Sequence, residues 1–278
     1  MGVKIADMYK VAGYGTIVTG GASGLGLGFT EVLAENGARV TILDVNAQRI
    51  DDETKRLNEV GLDVRGQVVD VSDHAALDQA FDEAAEIYGH LDVVFANAGI
   101  DSGPGPIGGW AGSERPRVPE GALENYTDER WNRVIDVNLN GVFATLRAAA
   151  RHMKPQNSGR IIVITSLAST KAEMVIGSAY MAAKAGAAHL TRCVALELAA
   201  YNISVNAIAP GFFVTNIGGG HAHNPELQEL VAKAVPMHRV GFPKDMKGLA
   251  LFLASPASAY VTGQEIVIDG GWGLGTAD

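Results

Sequence analysis

Short apolar runs rich in Val and Ile alternate along the chain with longer segments whose apolar positions recur every three or four residues. The apolar runs predict seven β-strands, at 16–20, 39–43, 64–70, 91–97, 160–164, 203–209 and 265–269. The longer segments predict helices near 25–36, 46–59, 73–88, 128–153, 178–200, 223–234 and 244–254. Such alternation is typical of βαβ units, in which a parallel sheet is buried by helices on both faces. We predict one α/β domain over residues 1–278.

Two segments interrupt this alternation. The first is a long loop insertion at 101–125, rich in Gly and Pro, which leaves the carboxyl end of the fourth strand and contains Trp110, Arg115 and Arg117. Open α/β sheets bind ligands at that edge, so we expect the loop to cover a substrate or bind an anionic group on it. A surface insertion or a subunit contact is the alternative. The second segment, 212–234, is predicted to form a substrate lid.

Composition and charge exclude several classes of protein. The net charge is −9 and no basic run occurs, which argues against nucleic acid as a partner. No apolar run is long enough for a membrane span, and the charged first residues do not resemble a signal peptide, so we expect a cytoplasmic protein. The single cysteine, Cys193, allows no intramolecular disulfide and is expected to be a small buried side chain. His221 and His223 are expected to face solvent, and no metal is predicted.

A glycine-rich stretch, "TGGASGLG" at 19–26, follows the first strand and opens a helix. Gly20, Gly24 and Gly26 allow a tight turn and close approach to a pyrophosphate, whose charge the helix N-terminus stabilises. Asp44 closes the next strand, where an acidic side chain accepts hydrogen bonds from an adenosine ribose; a turn or helix-capping role is the alternative. The stretch lacks G-K-[ST], which excludes a P-loop, and Leu25 stands where a nucleophile elbow needs glycine.

The stretch "SAYMAAK" places Tyr180 and Lys184 four residues apart, on one face of a predicted helix. An ordinary amphipathic helix is the simplest interpretation of the pair alone. A chemical interpretation follows from the pKa near 10 of a free tyrosine, which is too high for a base at neutral pH. A cation within about 4–6 Å favours the ionised phenol, and Lys184 is expected to supply that charge.

Taken together, the motifs resemble those of the short-chain dehydrogenase/reductase family between about residue 13 and residue 273. They occur in the family's order: the glycine turn, "NAG" at 97–99, "DVNLNG" around Asn138, "VITS" ending at Ser166, Tyr180 with Lys184, and "PG" at 210–211. The resemblance implies a single Rossmann-type, doubly wound parallel sheet with strand order 3-2-1-4-5-6-7, a nicotinamide cofactor and a homotetramer.

The resemblance also implies roles for individual residues. Tyr180 matches the family's catalytic acid/base, Lys184 its partner, Ser166 the serine that holds the substrate oxygen, and Asn138 the asparagine that anchors a proton-relay water. The positions that match cofactor-binding residues are Gly20, Ser23, Gly24, Leu25, Gly26, Asp44, Asp70, Val71, Asn97, Ala98, Gly99, Tyr180, Lys184, Pro210, Gly211 and Val214. Among these, Asp70 resembles the residue that contacts adenine and Asn97 the residue beside the cofactor ribose.

Local structural roles are the alternatives for two of these residues. Ser166 can satisfy a backbone group at a strand end, and Asn138 can stabilise its own helix. Two features depart from the family's pattern. Tyr180 lies 14 residues after Ser166, one more than is commonest in the family, and the 101–125 insertion is longer than usual.

These observations predict an NAD-dependent oxidoreductase that transfers a hydride between the cofactor and a secondary alcohol or ketone. A polyol, a sugar-like compound or another small alcohol is the expected substrate. Two alternatives stay open at this point: a 3-oxoacyl-[acyl-carrier-protein] reductase, and a non-catalytic protein that binds NAD as a sensor. The acidic carrier partner of the first fits poorly with a net charge of −9.

Overall fold

The computed structural model of the protein describes residues 4–109 and 114–275, so Trp110 lies outside the described residues. Seven strands form one sheet in the order β3-β2-β1-β4-β5-β6-β7, and every neighbouring pair is parallel. In chain order the strands are β1 (Gly15–Thr19), β2 (Arg39–Asp44), β3 (Val64–Val68), β4 (Val93–Ala96), β5 (Gly159–Ile164), β6 (Ile203–Pro210) and β7 (Glu265–Ile268). The predicted strand order is confirmed.

The helices lie on both faces of this sheet. They are α1 (Ile5–Met8), α2 (Gly24–Glu35), α3 (Ala47–Glu59), α4 (His74–Tyr88), α5 (Asp128–Ile135), α6 (Gly141–Gln156), α7 (Ser178–Leu198), α8 (Pro225–Ala234) and α9 (Pro243–Ala254). The short α1 was not predicted. Within the described parts of the chain, no helix is both long enough and apolar enough to cross a bilayer.

Alternating strand side chains divide the core into two layers. Ile17 of β1 points into the layer covered by α4, α6 and α7, and the next residue, Val18, points into the layer covered by α2, α3 and α9. In the second layer the rings of Phe29 and Phe95 stack with centroids 4.8 Å apart. Because both faces are covered, the strands read in the sequence as continuous apolar runs.

The helix predicted at 128–153 is interrupted, which corrects that prediction. A π-helical turn, Asp136–Asn140, separates α5 from α6. The Asn138 side chain lies inside this turn and its amide donates to the Val134 carbonyl at 3.1 Å, four residues earlier. A side-chain amide that competes for main-chain carbonyls widens the turn locally, and such turns occur often at functional sites.

The order of strands reverses between β1 and β4. The chain runs outward from β1 to β3, returns to β4 on the other side of β1, and then continues to β7. The glycine-rich turn after β1 and the "NAG" stretch after β4 therefore emerge side by side at the carboxyl edge of the sheet. This switch point is where open α/β sheets form their binding crevice.

The segments that follow β6 form a smaller cluster at the same edge. Val214, Val231 and Trp272 pack together there, which joins the 212–234 segment to the end of the chain's last strand. The segment predicted as a lid consists of a turn, Ile217–His223, followed by α8. Cys193 of α7 is exposed, so the expectation that it is buried is wrong.

Candidate active site

The turn after β1 has the shape that a phosphate-binding loop needs. Gly20 and Gly24 adopt positive φ angles of 64° and 56°, which L side chains rarely adopt. A Cβ placed on Gly26 would collide with the Gly20 carbonyl oxygen, so glycine is needed there for close packing. Helix α2 begins immediately after this turn, and Ser23 stands at its N-cap without using its hydroxyl to cap the helix. The first amides of α2 are consequently available to an anion.

Buried hydrogen bonds attach the glycine-rich turn to β4. The Thr19 hydroxyl accepts hydrogen bonds from the Asn97 and Ala98 amides at 3.0 and 3.1 Å and donates to the Phe95 carbonyl at 3.2 Å. The Asn97 side-chain amide donates to the carbonyls of Thr19 and Gly20 at 2.9 and 3.0 Å. Asn97, which the family resemblance places beside the cofactor ribose, thus also holds the turn in position.

Asp44 lies at the carboxyl end of β2, beside the same turn. Its carboxylate accepts hydrogen bonds from the Ala22 amide at 3.2 Å and from the Asn46 amide at 3.1 Å. Helix α3 is capped by the Asn46 side chain, which accepts from the Arg49 amide at 3.0 Å, and not by Asp44. The alternative in which Asp44 caps the helix is therefore wrong, although the residue does stabilise the turn.

The remaining residues predicted to bind the cofactor follow other strands at the same edge. Asp70 is exposed and accepts from the Ser72 amide and hydroxyl, whereas Val71 is buried. Pro210 ends β6, the Gly211 amide donates to the Ile268 carbonyl at 3.0 Å, and the Val214 amide donates to the Gly241 carbonyl at 2.9 Å. Their positions at the carboxyl edge are compatible with the predicted role, which stays a prediction.

Ser166 and Tyr180 meet at the carboxyl end of β5. The Ser166 oxygen accepts from the Ala168 amide at 3.2 Å, the local role considered above, and its side chain also hydrogen-bonds to the Tyr180 hydroxyl. Tyr180 is half-buried in the first turn of α7. The two hydroxyl groups therefore form a hydrogen-bonded pair at the carboxyl edge of the sheet.

Lys184 lies one turn further along α7 and is almost fully buried, with 3% of its surface exposed. Its ammonium donates to the Ile164 carbonyl at 2.8 Å and lies 5.6 Å from the centre of the Tyr180 ring. A buried lysine with one hydrogen bond retains unused donors. The Lys184 ammonium lies next to Gly99 of the "NAG" stretch, at the carboxyl edge of the sheet.

Asn138 completes this group through Gly99. Its side-chain oxygen accepts from the Ile100 amide at 3.2 Å, and its amide donates to the Ile100 carbonyl at 3.0 Å. A Cβ on Gly99 would lie 2.8 Å from the Asn138 side-chain oxygen and 3.5 Å from the Lys184 nitrogen. There is consequently no room for a side chain at position 99, and glycine lets this backbone pack closely against Asn138 and Lys184. The local role considered for Asn138 is also real, since it bonds to its own helix.

Burial dominates the electrostatics of the Tyr180–Lys184 pair. It raises the pKa of Tyr180 to about 12, an effect that the Ser166 hydrogen bond reduces and the nearby Asp101 carboxylate increases. Burial also lowers the pKa of Lys184 to about 8, because its charged form loses hydration. Without a bound ligand, burial therefore opposes the ionised phenol. The role of Lys184 as the cation that favours this ionised form stays a prediction.

The guanidinium group of Arg130 binds three backbone carbonyls of the 101–125 insertion. Arg130 of α5 donates to the carbonyls of Ser102 at 2.7 Å, Pro104 at 2.6 Å and Glu120 at 2.5 Å. The same group lies over the Tyr126 ring, 4.1 Å from its centre. Two one-turn 3₁₀ helices, Pro119–Gly121 and Leu123–Asn125, form the end of the insertion.

The insertion also pairs with the segment that leads into α7. Pro104 forms an antiparallel bridge with Ile176, and the Ile107 amide donates to the Met174 carbonyl at 3.2 Å. The Ser102 hydroxyl accepts from the Gly177 amide at 2.9 Å, directly before α7 begins. The unusual spacing of 14 residues between Ser166 and Tyr180 thus accompanies a segment that holds the insertion.

No three His, Cys, Asp or Glu side chains within residues 4–109 and 114–275 are grouped so that they could hold a metal ion. His221 and His223 are exposed, as expected, and His223 Nε2 lies 3.0 Å from the Asn216 side-chain oxygen.

The fold and the site together define a dinucleotide-binding oxidoreductase. The glycine-rich turn and the uncapped N-terminus of α2 fit the pyrophosphate of a dinucleotide at the carboxyl edge of the sheet. Ser166, Tyr180 and Lys184 lie at the same edge, at the end of β5 and in the first turns of α7.

Comparison with known proteins shows the family. A family model described as Enoyl-(Acyl carrier protein) reductase matches residues 20–273. The chain belongs to the short-chain dehydrogenase/reductase family, whose members bind a nicotinamide cofactor and act on alcohols and ketones.

Its relatives differ in the compounds for which they are named. A 3-oxoacyl-[acyl-carrier-protein] reductase FabG of Chlamydia pneumoniae is 34% identical over 265 residues, covering 94% of this chain and 97% of the relative. A cis-4-hydroxycyclohexanecarboxylate dehydrogenase of Sinomonas cyclohexanicum is 36% identical and covers 92% and 95%. The crystal structure of a gluconate 5-dehydrogenase from Burkholderia cenocepacia, in complex with NADP and tartrate, superimposes with a TM-score of 0.85 at 32% identity, covering 98% and 100%.

Several residues of the site were not predicted from the sequence. The position of Thr19, directly before the glycine-rich turn, was a signal for its role. The Ile164 carbonyl, Asp101 and Arg130 gave no such signal, because their importance depends on which segments the fold brings next to them.

The contacts of Arg130 lead to the first prediction. Replacing Arg130 with Met keeps an unbranched side chain and removes three charge-assisted hydrogen bonds, each worth about 1.5–3 kcal/mol. We expect amide hydrogen exchange in residues 102–109 and 114–121 to become at least about tenfold faster, while exchange in β1 and α2 stays unchanged. Arg133→Met, an exposed arginine of the same helix, is the control. Equal exchange in the two variants would contradict the role assigned to Arg130.

The buried Lys184 leads to the second prediction. Its pKa is about 8 in the folded protein and 10.5 ordinarily, so between these values the unfolded chain binds more protons and the free energy of unfolding rises with pH. The full difference corresponds to about 3 kcal/mol. The raised pKa of Tyr180 opposes this only above its ordinary value of 10.

Urea unfolding of the cofactor-free protein between about pH 7.5 and pH 10 tests this expectation. Relative to Lys184→Met, the wild-type protein should gain about 2–3 kcal/mol across this range, and the exposed Lys55→Met control should keep the gain. Parallel curves for the wild type and Lys184→Met would show that the lysine is not desolvated.

Proposed function

We propose that the protein is an NAD-dependent dehydrogenase of secondary alcohols, with a polyol, a sugar-like compound or another small alcohol as its substrate. The observation that carries the proposal is the grouping of Ser166, Tyr180 and Lys184 at the carboxyl end of β5, on the sheet edge from which the glycine-rich turn also emerges. Packing alone does not require a buried ammonium next to a phenol. The three side chains are instead suited to transferring a proton.

The proposed roles follow from the hydrogen bonds. When bound, a nicotinamide would supply the hydride chemistry and, in its oxidised form, a positive charge. Ser166 holds the substrate oxygen, and Tyr180 exchanges the hydroxyl proton with it. Lys184 would bind ribose hydroxyls with its unused donors, and as a cation it favours the ionised phenol. Asn138 holds the backbone beside Lys184 in place through its bonds to Ile100.

In the oxidation direction, the ionised Tyr180 oxygen takes the proton of the substrate hydroxyl, and the carbinol carbon gives up a hydride that a bound oxidised nicotinamide would accept. In the reduction direction, the protonated Tyr180 gives its proton to the carbonyl oxygen. Because the pKa of Tyr180 is about 12 without a bound cofactor, its ionisation for oxidation needs a further positive charge nearby. Proton transfer is thereby coupled to occupation of the site.

The preference for NAD is supported by Asp44. Its carboxylate is held at the ribose end of the expected site by the Ala22 and Asn46 amides. NADP carries a 2′-phosphate with nearly two negative charges at that position. The following residue, Val45, is exposed and apolar and offers no charge to balance that phosphate. One relative is crystallised with NADP, so the fold itself does not exclude that cofactor.

Reduction of 3-oxoacyl groups on an acyl carrier protein is a second candidate, favoured by the 34% identity to a 3-oxoacyl-[acyl-carrier-protein] reductase. The carrier is acidic, and this chain has a net charge of −9. Comparing rates with a carrier-bound 3-ketone and with the free ketone separates the two candidates. A rate that depends on the carrier would favour the reductase.

The assembly and location belong to the same proposal. Family membership leads us to propose a homotetramer, and we also propose a cytoplasmic location. The partner in the reaction is a small molecule.

The role proposed for Tyr180 gives the third prediction. Tyr180→Phe removes one hydroxyl group, so NADH binding should persist while turnover of an alcohol found by screening with NAD at mildly alkaline pH falls about 10²–10⁴-fold. Tyr260→Phe, which changes a fully exposed tyrosine, is the control and should keep normal turnover. Near-normal turnover by Tyr180→Phe would refute the proposed mechanism.

Cofactor choice gives the fourth prediction. Two unit charges about 4 Å apart, at an effective dielectric constant near 20, repel by about 4 kcal/mol, or roughly a thousandfold in affinity. Because Asp44 is partly exposed, we expect a smaller effect: NADH should bind at least about a hundredfold more tightly than NADPH, and kcat/KM should favour NAD similarly.

Asp44→Ala should remove most of that preference, whereas Asp51→Ala, an exposed carboxylate on α3, should preserve it. Fluorescence titration with both reduced cofactors measures the two affinities without a substrate. Equal affinities in the wild-type protein would refute the role given to Asp44.

A further inference from the structure

The backbone around Asp101 is held on both sides. Ile100, the preceding residue, exchanges two hydrogen bonds with the buried Asn138 side chain. Ser102, the following residue, gives its carbonyl to Arg130 at 2.7 Å and accepts at its hydroxyl from the Gly177 amide at 2.9 Å. Asp101 is therefore a residue of a fixed segment, although it belongs to a long loop.

This fixed position lies between Tyr180 and the turn at 217–223. Gly177, to which Ser102 bonds, comes three residues before Tyr180, and the Asp101 charge acts on the Tyr180 hydroxyl. On the other side, a Cβ built on Gly218 would lie 3.2 Å from an Asp101 carboxylate oxygen. Asp101 thus lies between the start of α7 and the segment predicted as a substrate lid.

The Asp101 carboxylate is exposed, and among the described residues it forms no ion pair and no side-chain hydrogen bond. Arg130 holds this segment, and its donors are directed at three carbonyl oxygens and not at the Asp101 carboxylate. Lys184 is buried against the Ile164 carbonyl. Within residues 4–109 and 114–275, the acceptor oxygens of Asp101 are therefore not used by another side chain.

The arginines of the insertion do not cancel this charge at Tyr180. Arg115 and Arg117 are exposed, and Arg117 lies in the antiparallel bridge to Ile107, further along the loop. The Asp101 charge acts on the Tyr180 hydroxyl, and Lys184 lies 5.6 Å from the centre of the same ring. The Asp101 carboxylate therefore opposes the expected binding of an anionic substrate group by the two arginines.

We propose that Asp101 is a specificity-determining residue that directs the site towards uncharged, hydroxyl-bearing alcohols and against alcohols that carry a carboxylate. The proposal rests on the proposed function, since it concerns the substrate of the same site. A fixed carboxylate accepts hydrogen bonds from substrate hydroxyls without rearrangement, and it repels a second carboxylate in the partly desolvated space beside Tyr180. The relatives named for gluconate and for a cyclohexanecarboxylate would accordingly differ from this chain in substrate charge.

A charge series on one ring tests the proposal. The probes are cis-4-hydroxycyclohexanecarboxylate, the corresponding carboxamide and cis-4-aminocyclohexanol, which carry negative, zero and positive charge. We expect the wild-type protein to show a lower kcat/KM with the carboxylate than with the carboxamide. Asp101→Asn should raise the carboxylate-to-carboxamide ratio about tenfold, equivalent to about 1.4 kcal/mol, and lower the ammonium-to-carboxamide ratio.

Glu124→Gln is the matched control, because it removes the same charge from an exposed position of the same insertion. Its two ratios should equal those of the wild type. Binding calorimetry with the three probes and the NADH complex provides a second measurement, which reads charge selection even if none of the ring alcohols is oxidised.

The outcomes separate the two proposals. Failure of every alcohol in a broad screen to give NADH or NADPH would refute the proposed function, while the binding ratios would still report on Asp101. A preference of the wild type for the carboxylate, ratios that Asp101→Asn leaves unchanged, or no binding of any probe would each overturn the assignment of Asp101.

Discussion

The site depends first on one buried side chain, Asn138. Its amide group bonds to Val134 within its own helix and to both polar groups of the Ile100 backbone, 38 residues earlier. A buried amide left without partners would cost about 1–3 kcal/mol for each unsatisfied group, so these bonds are maintained together. The π-helical turn, the end of the "NAG" stretch and the start of the insertion are thereby fixed relative to one another. The close packing at Gly99 and one of the two restraints on the Asp101 backbone both depend on this contact.

The second constraint is desolvation. Burial shifts the pKa of Tyr180 up and that of Lys184 down, so each group moves towards its neutral form when the cofactor is absent. The two shifts have a common cause and oppose the ionised phenol and the charged ammonium that oxidation requires. Charge brought in by a bound ligand acts strongly at such a place, because little water is present to screen it. The neutral forms of Tyr180 and Lys184 are therefore favoured in the empty site, and the charge of a bound oxidised cofactor would favour the ionised phenol.

The regular part of the molecule could be predicted from the sequence because its signals are local. Val and Ile runs mark the strands, and the glycines at 20, 24 and 26 are needed where the backbone turns and packs closely. The order of strands came from the family resemblance and is confirmed. The interruption of the helix at Asp136–Asn140 was missed, because the bonds that favour it reach Ile100, which is distant in the chain. The depressed pKa of Tyr180 was expected from its spacing to Lys184, but spacing contains no information about burial.

The two sides of the site therefore differ in how they are built. The cofactor side uses strand ends, a helix N-terminus and backbone amides, which almost any sequence of this fold can supply. The substrate side uses side chains on a loop, and a loop can position a charge only if its backbone is restrained. Here Arg130 and Ser102 provide the restraint and connect it to the first turn of α7. An insertion held in this way can change its exposed side chains without moving Tyr180, although a change at Asp101 also alters the charge that acts on the Tyr180 hydroxyl. Substrate choice can therefore vary while the serine, tyrosine and lysine group is retained.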